Sequence, residues 1–140
     1  METGTIVVSK HLVFSDGKKD TKKNRPCIFL FDKIIGSKKY AYIMPLTTNI
    51  DKFNRDYSRY ILIPDAIFKE NKLSFARADG IVCVPTEGVI SRGIRLDNKI
   101  ITQLLNRIKS YMEERPYTNK MEETIKTLEN KQYSLTQKNI

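Results

Sequence analysis

Between Thr5 and Leu96 the chain is cut into apolar runs of strand length, each closed by Gly, Pro, Asn, Asp or Ser. The longest are about 5–6 residues, too short for an ordinary helix and far below the roughly 20 that span a bilayer. Thr5–Val8, Pro26–Phe31, Tyr40–Met44, Tyr60–Ile63, Ser74–Arg77, Ile81–Val84 and Ile94–Leu96 are rich in β-branched and aromatic residues and read as strands. Ile35–Lys39 contains Gly36 and reads as the turn of a hairpin. Pro26, Pro45, Pro64 and Pro85 fall at ends of these runs, where a missing N–H does least harm. Short strands with no interleaved helices predict a mainly β fold, a small closed or half-closed barrel that leaves few free edges.

The periodicity changes at Asp97. Ile100, Ile101, Leu104, Leu105, Ile108, Tyr111 and Met112 form an apolar stripe at helical spacing. Asp97 suits the N-cap, and the helix should stop before Pro116 and pack across the barrel. Beyond it, Asn119 and Glu122 imitate a capping box, and Met121, Ile125 and Leu128 make a thin apolar edge that needs a partner surface. From about Gln132 the composition predicts disorder. The expected organisation is a barrel with its terminal helix over 1–113 and an extension over 114–140 that is helical or partly disordered.

The chain has 140 residues, 40% of them hydrophobic, enough for one domain with one modest core. With 25 Lys and Arg against 16 Asp and Glu, the net charge is +9. That excess favours a polyanionic partner. Charge alone does not separate RNA from DNA, an anionic membrane or an acidic protein, and Lys-rich codon usage produces the same bias. Cys27 and Cys83 lie inside apolar runs and read as buried, reduced thiols. Residues 1–10 carry no signal-peptide pattern, so the protein is expected to be soluble and cytoplasmic, with no membrane partner.

His11 is the one histidine, which excludes a two-histidine acid/base pair within the chain. No His, Cys and carboxylate grouping has metal-ligand spacing, so neither a metal nor another cofactor is expected. Phosphate-loop, dinucleotide and esterase motifs are absent from the sequence. Three clusters remain. A polar loop, Ser15–Asn24, brings Lys18, Lys19, Asp20, Lys22 and Lys23 up to Arg25 and Pro26. Pro45–Asn49 carries the hydroxyls of Thr47 and Thr48 at a strand end. Arg77 and Asp79 share one side of a strand by alternation.

Should these strand ends converge, they hold two guanidiniums, a carboxylate and two hydroxyls. Such a set suits metal-free cleavage of RNA by its own 2′-hydroxyl. Either Asp79 or a basic group made neutral by its surroundings would take the proton. Arginine would stabilise the phosphorane, and threonine would fix phosphate or ribose. Taken singly, Arg77 with Asp79 also fits a surface ion pair, and Thr47-Thr48-Asn49 an ordinary turn.

In order, these residues resemble the MazF/PemK/Kid family of toxin endoribonucleases. The resemblance rests on Gly4-Thr-Ile-Val7, Arg25-Pro-Cys-Ile-Phe29, Pro45-Leu-Thr-Thr48, Arg77-Ala-Asp-Gly-Ile-Val82 and the helix from Asp97 to Met112. It implies an SH3-like barrel, often a homodimer, that cuts single-stranded RNA at specific sequences without a metal. The products would be a 2′,3′-cyclic phosphate and a 5′-hydroxyl, and the outcome in a cell growth inhibition. It further implies a cognate antitoxin, protein or structured RNA, and a larger toxin–antitoxin assembly. The functional positions carry over as Arg25, Thr47, Thr48, Arg77 and Asp79, with Lys18, Lys19, Asp20, Lys22, Lys23 and Asn49 along the RNA. Four features depart from the family. The loop carries Lys18, Lys19 and Asp20 where relatives often place His or Glu, and Gly80 follows Asp79 where Gln is usual. The stretch from Asn49 to Ser74 is long and rich in charge and tyrosine, and the tail beyond Glu113 has no counterpart in the smallest members.

A second reading is a non-catalytic RNA-binding barrel, in which the lysine loop grips phosphates while Phe53, Tyr57 and Tyr60 stack on bases. A third is a protein-interaction module that docks through its tail helix.

Overall fold

The apolar run after Arg25 extends into a ten-residue strand, β2 (Pro26–Ile35), joined by a turn at Gly36 to an equally long β3 (Lys38–Thr47). The computed structural model describes residues 1–10, 25–48, 50–63 and 73–131. Around this hairpin stand β1 (Thr5–Ser9), β4 (Tyr60–Ile63), β5 (Ser74–Arg77), β6 (Val82–Pro85) and β7 (Val89–Arg95). The antiparallel sheet runs β4-β5-β3-β2-β1-β7, with β6 also paired to β3. Among the described residues it is not closed: β4 and β7 end the path, so of the two barrel forms expected, the half-closed one is observed.

β3 changes partner along one edge, pairing β6 through Tyr40–Ile43 and β5 through Leu46–Thr47. Pro45 lies inside β3, opposite Cys27 of β2, and not at a strand end. It occupies the step between the two ladders, where that edge is interrupted, which is how a proline is tolerated in the interior of this strand.

The central hairpin is buried on both sides. Val7, Cys27, Phe29, Ala41, Ile43, Val82 and Val84 form one core, and Ile28, Leu30, Phe31, Tyr42, Met44 and Leu46 join a larger one on the other face. A register shift between Phe29 and Phe31 explains how the consecutive Leu30 and Phe31 both reach the larger core. Thr3 donates its hydroxyl to the Leu30 carbonyl at 2.6 Å, satisfying a backbone acceptor within this bulge. Cys27 is buried and Cys83 half-buried, and neither forms a disulfide.

The larger core exists because α2 (Asn98–Glu114) lies over it. Asp97 caps this helix, its side chain accepting from the Ile100 N–H at 3.0 Å. Ile101, Leu104, Leu105, Ile108 and Tyr111 form its buried face, and each aliphatic side chain contributes about 1.5–3 kcal/mol relative to exposure. α3 (Asn119–Asn130) is the second helix expected from the sequence. Its N-cap is Thr118, one residue before the Asn119 expected, because the Thr118 hydroxyl accepts from the Met121 N–H. Met121 and Leu128 enter the larger core, with Ile125 packed at its edge. Glu123 takes hydrogen bonds from Tyr42 and Lys33, tying α3 to the hairpin.

Short helical turns, α1 (Ile50–Arg55) and a 3-10 helix at Tyr57–Arg59, occupy a stretch with no apolar periodicity to announce them. Among the described residues no helix is long and apolar enough to cross a membrane. The expected disorder after Gln132 lies outside the described residues.

Gly4 joins the sheet to α2. Its φ is +92°, its N–H donates to the Phe29 carbonyl at 2.8 Å, and its carbonyl accepts from Leu96 at 2.9 Å. A Cβ here would stand 2.7 Å from Ile101 Cδ1 and 3.2 Å from the Leu96 carbonyl oxygen. Gly4→Ala should therefore destabilise the fold by about 1–3 kcal/mol, through overpacking and a left-handed backbone together. Urea unfolding checks this, and an unchanged midpoint would refute the packing assigned to Gly4.

Candidate active site

Arg25 precedes β2 and its Nη1 donates to the Leu46 carbonyl at 2.9 Å, so its side chain is fastened across the end of β3. Leu46 pairs with Ala76 and Thr47 with Phe75, which fixes Thr47 beside the strand carrying Arg77. Arg77 is two residues beyond Phe75, one diagonal step from Thr47, or about 7–8 Å between Cα atoms. Ala76 and Leu46 point into the core beneath α2. By alternation Thr47, Phe75 and Arg77 share the opposite face. Thr48 is exposed just past the end of β3. Arg25, Thr47 and Arg77 thus lie at neighbouring strand ends, with Thr48 exposed beyond β3.

Asp79 lies in the turn after β5, closed by the Gly80 N–H donating to the Arg77 carbonyl at 3.0 Å. Arg77 grips it in a fork: Nε donates to Oδ1 at 2.9 Å and Nη2 to Oδ2 at 2.8 Å. The Nη1 edge of the guanidinium therefore faces away from the carboxylate, and the Arg77 side chain is 42% exposed. Gly80 makes room for this turn, since a Cβ there would lie 3.0 Å from Arg77 Cβ.

Burial acts to raise the Asp79 pKa, but the hydrogen bonds and charge of Arg77, the charge of Arg59 and the Tyr111 hydroxyl together hold it below the usual carboxylate range. Asp79 in turn raises the pKa of Arg77, against the opposing effect of burial. Both groups stay charged at neutral pH. A carboxylate held in this way is a weak base and a firm anchor.

Behind the pair stands a second layer that sequence reasoning did not find. Tyr111 donates its hydroxyl to Asp79 Oδ2 at 3.2 Å. Arg59 Nε lies 3.9 Å from the same oxygen and 3.4 Å from Asp56 Oδ2. Arg115, the C-cap of α2, forks onto Asp56 at 2.8 and 2.9 Å, reaches the Ser58 hydroxyl at 2.8 Å and stacks 5.1 Å above the Tyr111 ring. These residues come from two separate stretches, 56–59 and 111–115, and the one local hint was an Arg placed directly before Pro116 at a helix end.

Lys18, Lys19, Asp20, Lys22, Lys23, Asn49 and His11 lie outside the described residues. Of the aromatics suggested for base stacking, Tyr57 is 69% exposed but Tyr60 only 5%, so Tyr60 has no ring face to offer a base. Tyr60 sits on β4 opposite Arg77 of β5. The side chain of Phe53 is likewise outside the description.

Residues 5–112 match the family model of the PemK-like, MazF-like toxins of type II toxin–antitoxin systems. The chain belongs to this family. The match runs from β1 to near the end of α2 and so includes every described candidate residue from Arg25 to Asp79. No curated protein matches the chain. The family is one of toxins of type II toxin–antitoxin systems, so its members are paired with antitoxins.

The outer clamp generates a pH prediction. Arg115, then Ser58, draw the Asp56 pKa from about 3.8 down to about 2. Because the folded value is depressed, the stabilisation is complete above the unfolded pKa and is lost as pH falls through the folded one. Asp56→Asn should lower the melting temperature at pH 7, and its gap to wild type should narrow between pH 4 and pH 2. A gap constant across that window would mean the carboxylate charge contributes nothing to the clamp.

Proposed function

We propose that the chain is a metal-independent endoribonuclease toxin that cuts single-stranded RNA at specific sequences in the cytoplasm. Residues 1–113 carry the activity as a homodimer, restrained by a protein antitoxin, and 114–140 are a C-terminal extension of which α3 (Asn119–Asn130) packs on the larger core. The observation that carries this reading is Arg77. Asp79 fixes its guanidinium in a fork, its Nη1 edge turns outward, and one diagonal step separates it from Thr47 beside the anchored Arg25.

RNA crosses the sheet face with one phosphate between the two arginines. The ribose 2′-oxygen attacks the adjacent phosphorus, the new P–O2′ bond forms and the P–O5′ bond breaks. A basic group held neutral by its surroundings takes the 2′ proton, and that proton is returned, directly or through water, to the departing 5′ oxygen, which leaves as a hydroxyl. No water is consumed, and the first fragment ends in a 2′,3′-cyclic phosphate. Arg77 and Arg25 stabilise the charge that grows on the non-bridging oxygens. Thr47 and Thr48 orient phosphate or ribose through their hydroxyls. Asp79 acts through Arg77, since both its oxygens are committed to that fork. Lys18, Lys19, Asp20, Lys22, Lys23 and Asn49 flank the RNA path and read or grip the neighbouring nucleotides.

Removing a preorganised charge donor from such a site costs about 10²–10³ in rate. Arg25→Ala and Arg77→Ala should each relieve the growth arrest caused by expression of the wild type. If both variants remain as toxic as the parent protein, the site has been placed on the wrong face of the sheet.

A further inference from the structure

Arg77 has little packing to hold it, because its side chain is 42% exposed at a strand end. An arginine so placed loses orientation unless its carboxylate partner is itself fixed. Asp79 is in a turn, and what fixes it comes from elsewhere in the chain. Tyr111 bonds Oδ2 from the last turns of α2, and Arg59 approaches the same oxygen from the 3-10 helix. The Arg59 carbonyl also accepts the Ala78 N–H at 2.7 Å, so the backbone beside Asp79 is tied to the same element. The 3-10 helix is bound to α2 by the Asp56–Arg115 fork, with Arg115 stacked on the ring whose hydroxyl reaches Asp79.

We infer that Tyr111 and Arg59 are positioning residues for Arg77, and that the Asp56–Arg115 clamp at the end of α2 holds both in place. The inference rests on the endoribonuclease reading for its catalytic consequence, but the contact it describes is measurable without catalysis. α2 then has two roles. Its aliphatic face covers the core, and its C-terminal end sets the angle of the arginine that meets the scissile phosphate. Tyr111 is well suited to this, because it is buried beside the core while its hydroxyl reaches Asp79.

The test combines two readouts on the full chain. Proton exchange at the Arg77 Nε–H, followed by NMR, reports how firmly the fork is held. Cleavage of a mixed-sequence RNA reports kcat and KM. Tyr111→Phe keeps the ring and its stacking on Arg115 and removes one hydrogen bond. It should speed Nε–H exchange and lower kcat by about two- to tenfold, the worth of one such bond, with KM unchanged. Arg59→Gln should act in the same direction. Tyr42→Phe, which removes the hydroxyl bonded to Glu123 on α3, is the control for loss of a phenol elsewhere in the same core. It should leave both readouts at the wild-type level.

If Tyr111→Phe and Arg59→Gln leave Nε–H exchange and kcat unmoved in a protein that cleaves RNA, the inference is overturned and the nuclease reading stands. If both variants accelerate exchange while wild-type protein leaves RNA intact, the positioning contact is supported and the nuclease reading is the one that fails. Equal effects of Tyr42→Phe and Tyr111→Phe would also overturn the inference, since the role would then be structural.

Discussion

The structure depends on a hairpin buried on both of its faces. β2 and β3 supply side chains to two cores at once, so a slip of one residue in their pairing would exchange the contents of both. The bulge between Phe29 and Phe31 is part of that constraint, because it places Leu30 and Phe31 together under α2 and α3. With the hairpin register fixed, β5 is fixed against the end of β3, and Arg77 takes its place beside Thr47. α2 is then seated by its aliphatic stripe, which brings Tyr111 to Asp79. The position of a charged group at the rim is thus a consequence of apolar packing at the centre.

At the rim, electrostatics take over. Desolvation works against the charge of Asp79, and the Arg77 fork with Arg59 nearby outweighs it. The arrangement resists protonation, so it suits a carboxylate that aims an arginine better than one that exchanges protons during turnover. In the proposed reaction that separation leaves the arginines to bear the phosphate charge. The sequence resemblance brings forward the Arg before Pro and the Arg-x-Asp pair, here Arg25 and Arg77 with Asp79. Here the geometry gives the Asp a mechanical reason to be there.

Much of this was legible in the sequence, for local reasons. Asp97 announced α2, because an N-cap is a contact between residues three apart. The order of short apolar runs announced the strands, whereas Arg77 and Asp79 meet through the turn after β5 and not by alternation along one strand, because the strand ends at Arg77. The interior proline was misjudged because Pro45 is tolerated only where β3 changes partner, which is a property of the assembled sheet. The α3 cap was displaced by one residue because Thr118 and Asn119 are both good caps and tertiary packing of Met121 decides between them. The layer of Asp56, Arg59, Tyr111 and Arg115 was out of reach, since its members are up to 59 residues apart in the chain and each alone resembles an ordinary surface or helix residue.

The central claim is that these strand ends form a site that breaks RNA through its own 2′-hydroxyl. The most direct measurement is incubation of purified, antitoxin-free protein with a mixed-sequence RNA in EDTA, with the chemical ends of every fragment mapped. Discrete cuts that leave 2′,3′-cyclic phosphate and 5′-hydroxyl ends are the predicted result. RNA that binds and shifts on a gel yet stays intact, or fragments carrying 5′-phosphates, would contradict it.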